Sequence, residues 1–181
     1  THGGIENNVK VKIEWINAEK IETDQIINEL KNVDGILIPG GFGYRGIEGK
    51  IQAIKFAREK DIPFFGICLG MQLSVIEISR NLIGKQDSNS TEFKSSNNPV
   101  VSLMTEWNNE NKIEKRDLTS DKGGTMRLGA YSAILKKGSR IHNIYNSDEI
   151  SERHRHRYEV DLSYTKDFEQ KGFNFSGMSP D

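Results

Sequence analysis

The lone cysteine of the chain, Cys68, stands in a setting that suits a nucleophile. It lies within Gly66-Ile67-Cys68-Leu69-Gly70, between an apolar run and a predicted helix, and this segment has the G-x-nucleophile-x-G form of a sharp strand-to-helix turn. Glycines leave room in so tight a turn and tolerate unusual dihedral angles. The free N–H groups and the dipole at a helix N-terminus favour a thiolate and can stabilise an oxyanion.

A second oxyanion donor is expected from the Gly40-Gly41 turn, which would reach the same carboxyl edge of a parallel sheet. Two other roles for Cys68 stay open. A lone cysteine in a cytosolic domain is most often a buried core residue. A redox sensor is the third interpretation, although the chain has no second cysteine to resolve it. The flanking glycines and the second glycine turn favour the nucleophile.

The segment Gly41 to Gly46 spells G-x-G-x-x-G between a predicted strand and a predicted helix, which is also the pattern of a dinucleotide site. That fingerprint requires an acidic residue at the end of the next strand. Here the next apolar run, residues 62–67, leads directly into Cys68. The sequence therefore disfavours a dinucleotide site.

Arginine and histidine alternate from Arg153 to Arg157, a pattern that suggests nucleic-acid or metal binding. Glu152 and Glu159 flank the run, and solvated or locally paired strand residues are the simpler interpretation. In a strand the three arginines point to one face and the two histidines to the other. An arginine directed into a cleft would bind a carboxylate bidentately.

Strands and helices alternate around these residues. Val9 to Trp15 has the period-two pattern of a half-buried strand, and the apolar run 35–39 predicts a central parallel strand buried on both faces. A further strand is predicted over residues 62–67. Helices are predicted from the spacing of Ile26, Ile27 and Leu30 after Thr23 as N-cap, over Lys50 to Lys60, and over Leu69 to Leu82 ending near Gly84.

The second half of the chain changes character after a polar loop over residues 87–98. Short apolar segments over residues 100–104 and 132–135 are separated by turns, which predicts antiparallel strands added to the sheet. The expected fold class is α/β, with a mainly parallel sheet and added antiparallel strands.

The bulk composition limits the function classes. The chain has 181 residues, 35% of them hydrophobic, which suits one domain with a real core. Lys+Arg 25 against Asp+Glu 26 gives a net charge of -1, so no global field favours nucleic acid or a membrane surface. One cysteine excludes an internal disulfide and favours a reducing, cytoplasmic location. No signal peptide or membrane span is predicted.

Five segments together resemble the glutamine amidotransferase domain of the CTP synthase family. They are Pro39 to Gly43, Gly66 to Gln72, Asn89 to Phe93, Gly123 to Gly129 and Arg153 to Val160. The resemblance covers nearly the whole chain in matching order. It implies a flavodoxin-like three-layer sandwich of the class I glutamine amidotransferase type, with residues 1–181 forming one glutamine amidotransferase domain.

The resemblance implies that glutamine is hydrolysed through a cysteine thioester, and that ammonia passes to a synthetase domain that aminates UTP using ATP and Mg²⁺. Cys68 would be the nucleophile, and the backbone N–H groups of Gly41 and Leu69 would form the oxyanion hole. Gly41, Leu69, Gly70, Met71, Gln72, Glu92 and Arg157 would bind L-glutamine. The loop with Phe42, Tyr44 and Arg45 resembles a lid linked to activation by GTP. The family implies a homotetramer and no cofactor or metal in this domain.

The sequence departs from the family pattern, and these departures lead to an expectation about activity. The family's catalytic histidine and glutamate, its first strand and helix, and its synthetase domain have no counterpart in residues 1–181. Without the general base and acid, the chain as printed is expected not to hydrolyse glutamine. His154 or His156 would be the internal substitutes. The alternatives are a non-catalytic glutamine-binding or regulatory module, and an unrelated cysteine hydrolase on the same turn.

Overall fold

The structure, a computed structural model, describes residues 2–20, 26–103, 106–109, 112–115 and 126–180. The predicted helix cap Thr23, residue Met104 at the end of a predicted strand, and Gly123, Gly124 and Thr125 of the Gly123 to Gly129 segment lie outside the described residues.

The helices and strands follow one another along the whole chain. The helices are α1 (His2–Glu6), α2 (Ile26–Leu30), α3 (Ile47–Glu59), α4 (Leu69–Ile78), α5 (Arg140–Tyr145) and α6 (Thr165–Gln170). The strands are β1 (Ile36–Ile38), β2 (Phe64–Gly66), β3 (Val101–Leu103), β4 (Glu106–Asn109), β5 (Lys112–Lys115), β6 (Arg127–Leu135), β7 (Glu149–His156), β8 (Tyr158–Val160) and β9 (Gly177–Met178). None of these described helices is long and apolar enough to cross a membrane.

The parallel pair of strands β1 and β2 carries the turn that holds Cys68. Ile36 lies opposite Phe64 and Ile38 opposite Gly66, so both strands end at the same edge. A connection between parallel strands needs a crossover, and α3 supplies it. The expected strand, helix and strand order is present here, with α3 beginning at Ile47, three residues before the predicted start at Lys50.

Helix α4 is the centre of the hydrophobic core, because every one of its residues except Met71 is buried. Apart from Gln72, Ser74 and Glu77 the helix is apolar around its whole circumference, and such a helix is packed on all sides. It continues into a π-helical turn over Ser79–Ile83 and ends at Gly84, whose φ of 88° is left-handed. The prediction of a helix over Leu69 to Leu82 is therefore correct in extent, while the π turn was not foreseen.

The second half contains antiparallel strands, as predicted, together with the two short helices α5 and α6, which were not predicted. Strand β6 pairs with β7 from Arg127 opposite His156 to Ile134 opposite Glu149, and β9 joins the other edge of β6. Strand β3 pairs with β8, and β4 with β5. These ladders form separate small sheets among the described residues, rather than hydrogen-bonded extensions of the β1–β2 pair.

Two details differ from the sequence-based expectations. Residues 9–15 form no strand, and Trp15 at the end of this segment is 90% exposed. Alternation makes one face apolar, but a strand also needs a neighbour for its backbone N–H and C=O groups, and no described strand pairs with this segment. Strand β1 is buried on one face only, because Leu37 is 58% exposed beside the equally exposed Phe65.

A charged pair links the two helices that pack beside β1 and β2. The Glu77 side chain on α4 is fully buried, and its carboxylate accepts hydrogen bonds from Nε and Nη2 of Arg58 on α3, the shortest at 2.8 Å. The amide of Asn81 donates to the same carboxylate at 3.1 Å. This arrangement satisfies a charge that would otherwise be costly to bury.

Replacing Arg58 by Met should lower the free energy of unfolding by about 2–4 kcal/mol, because it leaves the Glu77 carboxylate buried without its cation. Urea unfolding monitored by circular dichroism measures the change. Lys55→Met on the same helix is the matched control, since Lys55 pairs at 3.9 Å with the exposed Glu59 and should shift stability by less than about 0.5 kcal/mol. Equal effects of the two substitutions would contradict a structural role for the buried pair.

Candidate active site

Cys68 occupies the sharp turn between β2 and α4 that its sequence context predicts. Its backbone has φ 53° and ψ −106°, a combination that non-glycine residues rarely adopt. Three backbone hydrogen bonds hold the turn, from Ile67 N to Ile38 O at 3.0 Å, from Gly70 N to Ile67 O at 2.9 Å and from Gln72 N to Cys68 O at 3.1 Å. The turn is thus fixed both to β1 and to the first turn of α4. Cys68 itself is partly exposed.

Gly66 and Gly70, which flank Cys68, lie where a larger side chain would not fit. A methyl group at Gly66 would lie 2.6 Å from the carbonyl carbon of Gly70 and 2.7 Å from Met71 N, distances at which the backbone has to move. A methyl group at Gly70 would overlap the carbonyl oxygen of Ile38. The strand, the turn and the helix can therefore pack this closely only with glycine at both positions.

The Gly40-Gly41 turn lies directly beside the cysteine. A methyl group built at Gly40 would be 3.4 Å from Cβ and 3.9 Å from Sγ of Cys68, and one at Gly41 would be 3.2 Å from Cδ2 of Leu69. No described residue accepts a hydrogen bond from the backbone N–H of Gly41 or of Leu69. An oxyanion hole needs two backbone donors next to the nucleophile, and these two N–H groups are the candidates.

The loop over residues 41–46, called the glycine loop below, is held by contacts with two other segments. The backbone N–H of Gly43, which has φ 79°, donates to Oε1 of Glu92 at 2.8 Å. Arg45 forms two hydrogen bonds of 2.9 Å with the carboxylate of Glu19 in an exposed pair. The Gly43 contact also disfavours the dinucleotide interpretation, because a carboxylate already occupies the N–H that a phosphate would need.

Gln72 joins the start of α4 to the start of β8. Its side chain is buried, and Nε2 donates to the carbonyl oxygen of Tyr158 at 3.0 Å. Tyr158 directly follows Arg157, so this hydrogen bond places Arg157 close to the helix that begins next to Cys68. Met71, on the same first turn, is 39% exposed.

Arginine and histidine alternate between the two faces of β7 from Arg153 to His156, as predicted, but the strand ends at His156 and Arg157 lies beyond it. The guanidinium of Arg155 lies 6.0 Å from the ring centre of Phe42 in the glycine loop, at the outer limit of a cation–π contact. Phe42 and Tyr44 are themselves exposed. The two histidines lie on the opposite face of the strand, where Nδ1 of His154 and Nδ1 of His156 are 3.2 Å apart.

This histidine pair is packed in a cationic neighbourhood. His154 contacts the ring of Tyr131 edge-on, with ring centres 5.5 Å apart, and the guanidinium of Arg127 lies 4.3 Å from the centre of the same ring. Burial first and the nearby Arg127 charge second lower the pKa values of both His154 and His156 below their ordinary value. The described contacts of this pair are with β6 and with each other, and none is with Cys68.

The structure brings the predicted site residues into two neighbouring groups. Cys68, Gly41 and Leu69 form one, and Gln72 with Arg157 lies at the other end of the first turn of α4. Glu92 reaches the glycine loop between them. The described residues contain no cluster of three His, Cys, Asp or Glu side chains able to hold a metal ion.

Sequence reasoning missed three of the contacts that shape the site. The Glu92 to Gly43 hydrogen bond joins residues 49 positions apart, and Gln72 reaches a backbone carbonyl 86 positions away. Glu19, which holds Arg45, lies in a segment without a recognisable pattern. Glu92, the single carboxylate of the motif from Asn89 to Phe93, and Gln72, the last residue of the motif from Gly66, were singled out by the sequence, but their partners in the fold were not.

The histidine pair should make the protein less stable in mild acid. An unfolded histidine protonates near pH 6.5, whereas the folded pair resists protonation, so the unfolded state binds more protons as the pH falls below about 6.5 and stability decreases. Urea unfolding at pH 7.5 and at lower pH values measures this loss, and a double variant, His154→Gln with His156→Gln, should lose less. An equal loss in both proteins would show that the pair does not contribute.

The chain matches one family and several known proteins along its length. The sequence profile of the family Glutamine amidotransferase class-I matches residues 1–181. The CTP synthase of Paramagnetospirillum magneticum is 57% identical over 180 residues, covering 99% of this chain and 33% of that protein. The CTP synthase of Nitrobacter hamburgensis is 58% identical over 182 residues, covering 100% of this chain and 34% of that protein. The chain thus spans about a third of the length of these curated relatives.

Among solved structures, the glutaminase domain of Trypanosoma brucei CTPS with bound acivicin has a TM-score of 0.85 and 39% sequence identity, covering 98% of this chain and 66% of that chain. This likeness confirms the predicted flavodoxin-like fold class. The sequence matches confirm the resemblance to the glutamine amidotransferase domain of the CTP synthase family. The positive-φ cysteine, the paired backbone donors and the match over residues 1–181 agree with one another. The chain belongs to the class I glutamine amidotransferase family.

Proposed function

We propose that this domain hydrolyses the side-chain amide of L-glutamine through a thioester on Cys68. One observation carries the proposal. Cys68 is held with positive φ at the start of α4, beside the Gly40-Gly41 turn, and the N–H groups of Gly41 and Leu69 donate to no described residue. A nucleophile flanked by two backbone donors suits acyl transfer, in which negative charge develops on the carbonyl oxygen of the substrate.

The proposed reaction proceeds in two stages, which are formation of a thioester and its hydrolysis. The thiolate of Cys68 adds to the amide carbon, and the tetrahedral oxyanion accepts hydrogen bonds from the two backbone N–H groups. The carbon–nitrogen bond then breaks, the nitrogen takes a proton and leaves as ammonia, and a γ-glutamyl thioester remains. Water cleaves the thioester to give glutamate and the free thiol. The resemblance assigns the general base to a histidine that is not in residues 1–181, and this assignment stays a prediction.

Recognition of glutamine requires partners for its two charged groups. We assign its α-ammonium to the carboxylate of Glu92 and its α-carboxylate to the guanidinium of Arg157, since opposite charges with hydrogen bonds give strong and directional contacts. The first turn of α4, from Leu69 to Gln72, would line the space between them. Gln72 supports this assignment indirectly, because its hydrogen bond to Tyr158 O holds the chain next to Arg157.

The larger protein is proposed to be a CTP synthase, as the names of the relatives suggest. Ammonia from this domain would pass to a synthetase domain that aminates UTP with ATP and Mg²⁺, in a cytoplasmic homotetramer. GTP is proposed to act at the loop with Phe42, Tyr44 and Arg45. The exposed ring of Phe42 beside Arg155 supports this, because a purine can stack on an aromatic ring and a guanidinium can bind its phosphates.

Acivicin, which is bound to the Trypanosoma brucei glutaminase domain, offers a direct test of the glutaminase assignment. Incubating the complete gene product that contains residues 1–181 with acivicin should add the mass of one inhibitor less HCl to the peptide that carries Cys68, because the thiolate displaces chloride. An excess of glutamine should slow the labelling, while an excess of asparagine should not. Intact-protein and peptide mass spectrometry measure the adduct.

The Cys68→Ser variant is the control for this experiment, and it should take up no acivicin because a serine hydroxyl is a far weaker nucleophile at neutral pH. Labelling that persists in Cys68→Ser, or a complete protein that neither reacts with acivicin nor hydrolyses glutamine, would contradict the proposed function. Labelling without hydrolysis would favour the non-catalytic glutamine-binding module instead.

A further inference from the structure

Glu92 makes a contact that recognition of an ammonium group does not require. Its Oε1 accepts the backbone N–H of Gly43 at 2.8 Å in a partly buried hydrogen bond. No described residue donates to its Oε2. One oxygen of the carboxylate therefore binds the glycine loop, and the other remains for a ligand.

Glu92 is attached to a well-fixed part of the chain. Its backbone N–H donates to Oγ of Ser90 at 3.2 Å, and Ser90 is completely buried. Ser90 also forms a parallel bridge with Val101, at the start of β3. The carboxylate thus projects from a rigid base, and a loop bonded to it acquires a defined position.

The glycine loop needs such an attachment close to its beginning. Gly43 is only two residues from Gly41, the proposed oxyanion donor, whose Cα lies against Leu69 in the turn beside Cys68. The structure describes three other side-chain links of this loop. Arg45 to Glu19 and Lys50 Nζ to Arg45 O are exposed to water, and Arg155 lies at the outer limit of a cation–π contact with Phe42. Exposed polar contacts of this kind hold position weakly. A hydrogen bond from a backbone N–H to a partly buried carboxylate is stronger and more directional. Displacing Gly43 would turn the Gly41 N–H away from the place where the oxyanion forms.

We infer that Glu92 is a positioning residue for the Gly41 oxyanion donor, in addition to its proposed contact with the substrate. The inference rests on the proposed function, in which Glu92 binds the α-ammonium of glutamine. The same carboxylate would then bind the α-ammonium of the substrate and hold the Gly41 N–H in place near the side-chain amide of the substrate. A displacement of about 1 Å in such a donor is enough to slow the chemical step on the order of 10²-fold.

Two substitutions separate the two roles of the carboxylate. Glu92→Gln retains a side-chain oxygen that can accept the Gly43 N–H but removes the negative charge that attracts an ammonium group. Glu92→Ala removes both. Asp87→Ala is the matched control, because Asp87 lies in the same polar loop and its carboxylate also accepts a backbone N–H, that of Asn97 at 3.0 Å.

The decisive substrate is glutaramate, which is glutamine without its α-amino group, assayed with the complete gene product. With no ammonium group to bind, a Glu92 that serves only for recognition would leave its hydrolysis unchanged in all variants. A positioning role predicts a loss of kcat on the order of tenfold or more in Glu92→Ala, a clearly smaller loss in Glu92→Gln, and a kcat of Asp87→Ala within about twofold of the wild type. With glutamine, both Glu92 variants should raise KM, and only Glu92→Ala should lower kcat to this extent.

Amide hydrogen exchange gives a second readout that does not depend on catalysis. Peptides covering residues 41–46 should exchange faster in Glu92→Ala than in the wild type, while Glu92→Gln and Asp87→Ala should resemble the wild type in this segment. Faster exchange that tracks the loss of kcat would link the hydrogen bond to the chemistry.

Failure of the proposed function and failure of the positioning role give different results in these assays. If the wild type hydrolyses neither glutamine nor glutaramate, the proposed function is wrong and the positioning role falls with it. If the wild type is active and Glu92→Ala and Glu92→Gln have equal kcat values, only the positioning role is overturned. If the wild type hydrolyses glutamine but not glutaramate, the kcat values of Glu92→Ala and Glu92→Gln are compared at saturating glutamine instead. Equal values would again overturn the positioning role.

Discussion

Cys68 adopts φ 53° and ψ −106°, and holding a non-glycine residue in such a conformation costs roughly 1–3 kcal/mol. The surrounding structure has to outweigh that cost. Strand β1 does so from one side by accepting the N–H of Ile67, and α4 does so from the other by bonding Gln72 N to Cys68 O. The close approach of β2, the turn and α4 in turn depends on glycine at positions 66 and 70.

The buried position of α4 explains how so short a parallel pair can hold this turn. Nearly the whole helix is enclosed, so its first residue cannot shift without disturbing the core around Leu73 and Ile76, which are fully buried. The Arg58 to Glu77 pair fixes α3 against the same helix. Core packing thereby determines the direction in which the Cys68 side chain and the first N–H groups of α4 point.

Local sequence patterns predicted the elements that depend on local chemistry. The glycine-flanked turn, the helices α3 and α4, and the opposite faces of arginine and histidine on β7 all follow from spacing and from residue type. Contacts between distant segments could not be predicted in this way. The bond between Glu92 and Gly43 and the bond between Gln72 and Tyr158 O exist only once the chain has folded.

The failed expectation for residues 9–15 has the same origin. Their alternation describes a surface with one apolar face, but pairing is a property of two segments, and the described part of the chain offers this one no partner strand. Leu37 likewise lies in an apolar run that suggested burial on both faces, whereas only one face of β1 is covered. Apolar composition predicts that a segment can be buried, and the neighbouring elements decide whether it is.

In the proposed reaction the thiol of Cys68, whose backbone is strained, attacks the glutamine amide. Acid quenching of the complete gene product within its first turnovers with glutamine, followed by peptide mass spectrometry, can detect the resulting acyl-enzyme. A γ-glutamyl thioester should appear on the peptide that contains Cys68, and asparagine should give no adduct. Glutamine hydrolysis that proceeds in the Cys68→Ala variant, or an acyl group found on another residue, would contradict nucleophilic attack by Cys68.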